Sequence, residues 1–245
     1  MPSSKSKIAF LVFAALALRA SSHAHADPAC PDNFESAQRF ILVLSPTMQT
    51  KRASVQFFER DDGKRWRSVG SSKDAVLGKN GLAWSWAHSR FAAKGEPTKK
   101  EGDGRTPVGF FTVGQAFGFA SEKRRDYVTL KKGAHFCVDD PRSPLYNAVV
   151  PRADAGDAVS GEDMAKVPHY EQGLFLDYPT NRALQGGSCI FVHIWRAKES
   201  ATVGCVALAR HDVEEMQRWS AGKTTVMGIL PEPAWRRLRP CLEGV

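Results

Sequence analysis

The sequence lacks several features that would assign it at once to a large class of proteins. No apolar run reaches the ~18 residues that a membrane-spanning helix requires, which excludes a multi-pass membrane protein. No Cys-x-x-Cys or His-x₃-His pair is present, so the usual spacing of zinc ligands is missing. No Gly-Lys-Ser/Thr follows the glycines of residues 78–81 or 102–109, which argues against a phosphate-binding loop. Without an internal repeat or a dividing linker, the chain has the pattern of one globular domain.

The chain is also short of acidic residues. Its 245 residues contain 34 Lys and Arg against 26 Asp and Glu, a formal net charge of +8. Hydrophobic residues make up 42% and charged residues 24%, which excludes a disordered or collagen-like chain. A mild positive charge suits a polyanionic wall or a membrane surface and is too dilute for a nucleic-acid-binding patch. We therefore predict no nucleic-acid partner.

Residues 1–26 have the pattern of a secretory signal peptide. A basic start is followed by eleven apolar residues, 8–18, and then by the small-x-small sequence Ala24-His-Ala26. Eleven residues are too few to span a bilayer. We predict cleavage after Ala26, which leaves residues 27–245 as a single exported domain without stable membrane insertion. The alternative is an uncleaved N-terminal anchor.

Five cysteines follow the predicted cleavage site: Cys30, Cys137, Cys189, Cys205 and Cys241. An oxidising compartment favours disulfides, and an odd count leaves one thiol unpaired. Four cysteines allow three pairings, and the sequence alone does not choose between them. The ends of a domain often lie close together, so we favour Cys30–Cys241 with Cys137–Cys189. Cys205 is then the free thiol.

Short apolar runs separated by turn residues have the spacing of a β sandwich or barrel. One convincing helix is predicted, with Asp212 as its N-cap, continuing to Trp219 and ended by Gly222. Residues 153–168 form a polar segment long enough to cover a site or to hold a short helix. We predict a mainly β fold, a sandwich with one or two short helices, whose strands lie at residues 40–44, 55–59, 64–69, 82–86, 109–113, 127–130, 136–138, 174–178, 189–195 and 225–229.

His193 and Cys205 form the candidate catalytic pair. A strand, a loop and a returning segment separate them, so the imidazole can lie beside the thiol. An imidazole partner favours the thiolate, which is the nucleophile, and can later protonate a leaving amine. Backbone N–H groups around Gly204 could stabilise an oxyanion, with ~3 kcal/mol from each such donor. Taken separately, each residue has a simpler interpretation, as a core histidine and a buried cysteine.

Three segments, in order, resemble the L,D-transpeptidase catalytic-domain family of the YkuD type. The run His193-x₈-Thr202-Val-Gly-Cys205 is similar to the C-terminal signature of that family. Lys100-Glu-Gly-Asp-Gly-Arg-Thr-Pro-Val-Gly109 resembles its Lys-x-Gly-Asp-x-x-Thr-Pro-x-Gly segment. Val138-Asp-Asp-Pro-Arg-Ser-Pro-Leu-Tyr-Asn147 resembles a third segment, found in one branch. The resemblance implies a YkuD-like β sandwich.

The resemblance also implies a reaction on peptidoglycan stem peptides that needs no metal or organic cofactor. Cys205 would attack the carbonyl of the third residue, a diamino acid, and release a terminal D-amino acid protonated by His193. In the family a backbone carbonyl orients the histidine, here expected near residues 200–203. An amine acceptor would then take the acyl group. The predicted substrate-contacting residues are Thr202, Val203 and Trp195. The predicted location of the protein is the periplasm or the cell wall.

Two positions depart from the family pattern. Val203 stands where many members have a second histidine, and Ala207 stands where many have a substrate-binding arginine. Arg105, Arg142 or Arg196 could replace that arginine.

Alternatives to a transpeptidase remain open at this stage. Water in place of the amine would make the protein an L,D-carboxypeptidase or endopeptidase. A degenerate site would make it a non-catalytic peptidoglycan-binding module. Oxidation of Cys205 would silence the site. Among the weaker candidates, Asp139 and Asp140 are interpreted as a cap or salt bridge, and His169 and Tyr170 as solvated loop residues.

Overall fold

The computed structural model describes Pro31, Phe34, residues 36–61 and residues 65–242, with side chains up to residue 240. The predicted signal peptide lies outside these described residues, and so does the predicted Cys30–Cys241 disulfide, since neither Cys30 nor the side chain of Cys241 is described. Within them, no helix is both long enough and apolar enough to cross a membrane.

The centre of the fold is built from the most continuous apolar runs of the sequence. Strand β1 (Arg39–Ser45) pairs in parallel with β13 (Thr225–Pro231) and antiparallel with β2 (Arg52–Glu59). All seven residues of β13 are buried. Strands that are covered on both faces have apolar residues at every position, in place of the alternation of a half-exposed strand. These strands therefore form the core of the sheet.

The described residues contain further strands and several short helices. The other strands are β3 (Arg67–Val76), β4 (Leu82–Trp84), β5 (Thr106–Gly118), β6 (Tyr127–Thr129), β7 (Phe136–Val138), β8 (Val149–Val150), β9 (Gly161–Asp163), β10 (Gln172–Asp177), β11 (Phe191–Ile194) and β12 (Val206–Leu208). The α-helices are α1 (Arg152–Ala155), α2 (Arg210–Ser220) and α3 (Glu232–Leu238). The 3₁₀ helices are Trp86–Phe91, Met164–Lys166, Pro168–Glu171 and Arg239–Leu242. The predicted mainly β fold is confirmed.

The main sheet closes on itself. Its strand order is β10-β11-β12-β3-β2-β1-β13-β5, and β5 also pairs with β10. The long strand β5 makes this closure possible, because one part pairs with β13 and a later part pairs with β10. A register shift between Leu174 and Leu176 interrupts the β10–β5 ladder, and such bulges increase local bending. The result is a barrel-like sheet.

A small second sheet lies beside the barrel. Strand β7 pairs antiparallel with β8 on one side and with β9 on the other. A disulfide between Cys137 of β7 and Cys189, just before β11, joins this sheet to the barrel. This bond confirms the predicted Cys137–Cys189 pairing. The polar segment 153–168 carries α1, β9 and a 3₁₀ helix, so it does hold short structure.

Helix α2 begins two residues before the predicted cap. Ala209 is its N-cap, and Asp212 lies inside the first turn. The prediction of Asp212 as the N-cap was wrong, because the position at which the helix begins is set by the burial of its apolar residues. Val213 and Met216 are fully buried against the core, and this packing sets the helix position.

Candidate active site

Cys205 lies directly before strand β12. It is the free cysteine of the described part of the chain and is only 5% exposed. Strand β12 pairs in parallel with β11 and antiparallel with β3, so the chain leaving Cys205 is fixed on both sides. Cys137 and Cys189 are bonded to each other, so Cys205 forms a disulfide with neither of them.

The segment that leads into β11 surrounds the Cys205 sulfur. The thiol donates to the Cys189 carbonyl at 3.4 Å, and the Phe191 N–H donates to Sγ at 3.4 Å. Cys189 itself has a left-handed φ of +55°, and its N–H donates to Asn147 Oδ1 at 2.9 Å. A left-handed cysteine needs support from its surroundings, which the disulfide and Asn147 provide. Asn147 ends the third family-like segment.

Two threonine hydroxyls hold the Cys205 backbone. Thr202 and Thr106 donate to the Cys205 carbonyl at 2.7 and 3.2 Å. The Gly78 N–H donates to Thr106 Oγ1 at 2.8 Å, which ties this network to the loop after β3. Thr106 belongs to the Thr-Pro-x-Gly part of the second family-like segment, and its hydroxyl thus positions the candidate nucleophile.

Gly204 contributes to the same turn. Its N–H donates to Thr202 Oγ1 at 3.1 Å, so this donor is engaged in the resting structure. A Cβ at Gly204 would come within 3.1 Å of Ile190 Cδ1, which is tighter than ordinary packing. Close packing against Ile190, and not a left-handed backbone, is therefore the reason for a glycine. The oxyanion role of Gly204 stays a prediction.

His193 is buried on strand β11 and faces the same region. Its Nδ1 lies 2.8 Å from the Ile194 carbonyl. Because a carbonyl can only accept, Nδ1 carries the proton, and Nε2 is left as the basic nitrogen. A backbone carbonyl thus orients the ring, but it is that of Ile194; the expected location at residues 200–203 was wrong. In the parallel register His193 lies opposite Ala207, two residues beyond Cys205.

Burial keeps both candidate catalytic groups neutral. Burial lowers the pKa of His193 to about 4, and His169 lowers it further while the Ile194 hydrogen bond opposes the shift. Burial raises the pKa of Cys205 to about 12, with a further contribution from the Glu162 carboxylate. An imidazole partner favours the thiolate, but desolvation of the charged forms opposes it here and is the largest cause of both shifts. The resting pair is a thiol and a neutral imidazole.

Tyr170 and His169 pack against His193. Their ring centroids lie 5.2 and 5.4 Å from that of His193. Tyr170 is 4% exposed, so its interpretation as a solvated loop residue was wrong. The segment folds into a 3₁₀ helix (Pro168–Glu171) that covers β11, which is a tertiary contact without a local sequence signal.

Two cavities of about 210 Å³ each meet at Cys205. Val203 lines both of them and is 75% exposed, so it forms a ridge beside the thiol. Thr202 and Trp195 line the second cavity together with His193. The structure thus brings the predicted site residues together around one sulfur atom.

Arg196 is the one of the three candidate arginines that lines these cavities. It lies in the second cavity, as does Ala207. Arg142 instead forms a bidentate pair with Asp140, which holds the pKa of that carboxyl at about 2, and Arg105 donates to the Leu82 carbonyl. The interpretation of Asp140 as one half of a salt bridge is confirmed.

Sequence reasoning missed Glu162. This residue of β9 lines both cavities, and the Tyr170 hydroxyl donates to its Oε1 at 2.6 Å. Burial raises its pKa. Nothing in the local pattern separates it from the other charges of the polar segment. In the part of the chain with described side chains, no three His, Cys, Asp or Glu residues are placed to hold a metal.

We expect one reactive thiol for each chain. Thiol titration in denaturant without reductant measures it, because Cys205 is buried and reacts slowly in the folded protein. A count of one agrees with Cys137–Cys189 and with the predicted Cys30–Cys241 bond. A count of none would mean an oxidised Cys205, and a count of five would contradict both bonds.

Comparisons with known proteins agree with this geometry. The family model of the L,D-transpeptidase catalytic domain (YkuD) matches residues 50–227. No curated protein matches the chain in sequence.

The solved structures that match the chain include two bacterial proteins. The helical cell shape determining protein Pgp2 from Campylobacter jejuni is 19% identical with a TM-score of 0.39, and the match covers 82% of this chain and 52% of that one. Bd1075 from Bdellovibrio bacteriovorus is 13% identical with a TM-score of 0.40, covering 86% and 57%. The chain therefore spans about half the length of these proteins.

Proposed function

Because the chain belongs to the YkuD family of L,D-transpeptidase catalytic domains, we propose that it is an exported cysteine transpeptidase of peptidoglycan stem peptides. The observation that carries the proposal is the free Cys205 at the junction of two cavities, with His193 on the adjacent strand. A donor peptide and an acceptor can approach one sulfur atom from two sides. The predicted signal peptide supports a periplasmic or cell-wall location.

Acylation begins from the neutral pair. Cys205 Sγ attacks the carbonyl of the third stem residue while its proton passes to His193 Nε2. The carbon–nitrogen bond to the terminal D-amino acid then breaks, and the imidazolium returns the proton to the leaving amine. The product is a thioester on Cys205. No metal or organic cofactor takes part in this scheme.

Arg196 and His193 line the same cavity, which supports one direction for the donor. The leaving D-amino acid carries a free carboxylate next to the amine that His193 protonates. A guanidinium binds such a carboxylate through paired hydrogen bonds. We therefore place the leaving residue in the second cavity, with Arg196 in the role of the arginine that Ala207 replaces. Trp195, Thr202 and Val203 line the path of the peptide.

The second half-reaction decides the class of enzyme. An amine that attacks the thioester gives a cross-link or an exchanged residue, whereas water gives a trimmed peptide. The test is mass spectrometry of a stem tetrapeptide incubated with the mature protein and an excess of a D-amino acid. Exchange or dimers support the transpeptidase, and trimming alone identifies a carboxypeptidase. An unchanged tetrapeptide without a thioester mass on the protein would favour a binding module.

The neutral resting pair predicts an unusual pH profile. His193 must be unprotonated to act as a base, and its pKa is lowered to about 4, so protonation stops the reaction only near that pH. The thiol pKa of about 12 keeps Cys205 protonated at neutral pH, so the rate does not follow a thiolate population. We expect kcat/KM for acylation to be flat across neutral pH and to fall towards pH 4. A fall centred near ~6.5, the ordinary value for histidine, would contradict the buried neutral imidazole.

A further inference from the structure

Glu162 is a carboxylate placed beside the candidate nucleophile without a cationic partner. In the described part of the chain, no Lys, Arg or His forms an ion pair with it. The other carboxylates of the first cavity are engaged differently, since Glu101 accepts from Tyr146 and Ser188, and Asp139 accepts from Ser160. Glu162 is the one that also lines the second cavity.

The fold positions this carboxylate with several constraints. Glu162 lies opposite Cys137 in the β7–β9 ladder, and Cys137 is bonded to Cys189, whose carbonyl accepts from the Cys205 thiol. The buried Tyr170 hydroxyl donates to Glu162 Oε1, and Tyr170 lines both cavities together with Cys205. One carboxylate oxygen is therefore fixed by Tyr170, which leaves the other free to contact a ligand.

This placement has a cost for the free enzyme. A negative charge beside Cys205 raises the pKa of the thiol and works against its activation. A partly buried carboxylate without a cation is itself unfavourable, because it has lost part of its hydration. Both costs are relieved when a cation enters the cavity. Charged groups held at such a cost are found preferentially at functional sites.

We propose that Glu162 receives a primary ammonium group at the reaction centre, and that this group is the amine of the incoming acceptor. The inference rests on the proposed function and names the acceptor subsite of the same site. Glu162 and Cys205 line the same two cavities, so an ammonium bound to Glu162 lies beside the thioester carbonyl. The side-chain ammonium of a donor diamino acid lies several bonds from that carbonyl and fits this position less well.

In the transfer step, the bound acceptor ammonium gives one proton to the Glu162 carboxylate, and the neutral amine attacks the thioester carbonyl. The new carbon–nitrogen bond forms, the second proton of the amine passes to His193 Nε2, and the carbon–sulfur bond breaks. The imidazolium reprotonates the thiolate, and Glu162 releases its proton to water. An amide, a free Cys205 thiol and one solvent proton result.

The test is the Glu162→Gln variant, which keeps an oxygen to accept from Tyr170 but removes the charge. Acylation and transfer are measured separately, by the thioester mass on the protein and by the exchanged peptide. We expect acylation to be unchanged or faster, transfer to a D-amino acid to slow by about 10²-fold, and the acyl-enzyme to accumulate. Transfer to hydroxylamine, which is largely neutral at pH 7, keeps its rate.

Two control variants separate this role from a structural one. Glu171→Gln makes the same change in the neighbouring 3₁₀ helix, at a carboxylate that pairs with Arg210 outside both cavities, and should change neither step. Tyr170→Phe removes the hydroxyl that holds Glu162, and should slow transfer to a D-amino acid more than transfer to hydroxylamine. Thermal unfolding of each variant shows whether it is folded.

Each further outcome decides the proposal. Equal losses for the D-amino acid and hydroxylamine, or no loss for either, overturn it. A raised KM for the donor that disappears when the donor's side-chain amine is acetylated would assign Glu162 to the donor ammonium, and would overturn the acceptor subsite. Absence of any acylation in the unmodified protein would instead be a failure of the proposed function, and it is seen before Glu162 is tested.

Discussion

Replacing Cys205 by alanine abolishes release of the terminal D-amino acid, with a loss of at least ~10⁴-fold in kcat, as is usual when a covalent nucleophile is removed. The physical reason is that no substitute nucleophile is available. Among the residues with described side chains, the other two cysteines, Cys137 and Cys189, are joined to each other, and the hydroxyls of Thr106 and Thr202 donate to the Cys205 carbonyl. Without the thiol, water would have to attack the amide carbonyl directly.

The measurement is mass spectrometry of the stem tetrapeptide and of the intact protein. The unmodified protein should gain the mass of the acyl group, and the Cys205→Ala variant should not. Cys205→Ser is the matched control, since it keeps a side-chain nucleophile of similar size and should retain a weak but measurable rate. Equal release by Cys205→Ala and the unmodified protein would place the chemistry at another residue. Thermal unfolding must show that all three proteins are folded.

Local patterns were enough to predict the parts of the fold that depend on neighbours in the sequence. The apolar runs at residues 40–44 and 225–229 became β1 and β13, because continuous apolar strands can be buried only at the centre of a sheet. The cysteine pattern allowed three pairings, and the position of Cys30 and Cys241 near the ends only favoured the pairing of Cys137 with Cys189. Closure of the sheet through β5 had no such signal, because pairing with both β13 and β10 is a long-range property.

The candidate site was predictable only as a list of reacting residues. Cys205 and His193 were identified from their spacing and from the family-like segment, but their resting charge depends on burial, which the sequence does not give. Thr106, Tyr170 and Glu162 reach the site from three separate elements. Tyr170 and Glu162 belong to a segment whose polarity indicated a loop, and their pairing exists only because the small second sheet is joined to the barrel.

Breaking the Cys137–Cys189 disulfide should lower the free energy of unfolding by about 4 kcal/mol. The bond closes a loop of 52 residues, and closure of such a loop removes that much conformational entropy from the unfolded chain. The double variant Cys137→Ala/Cys189→Ala is compared with the parent by urea unfolding, both in a Cys205→Ala background so that this thiol cannot exchange with the bond. An unchanged free energy of unfolding would mean that the second sheet is held by packing alone.

Loss of the same disulfide should also lower the rate of catalysis in the folded protein. The reason is that its two cysteines each contact a residue of the candidate site. On one side, Cys189 supplies the carbonyl that accepts from the Cys205 thiol; on the other, Cys137 lies opposite Glu162. With Cys205 restored, the double variant should lose up to about 10²-fold in kcat under conditions where it is fully folded, since displacements near 1 Å have effects of that size. The comparison is made well below the unfolding midpoint. Full activity there would show that Asn147 and the barrel strands hold the Cys205 environment without the disulfide.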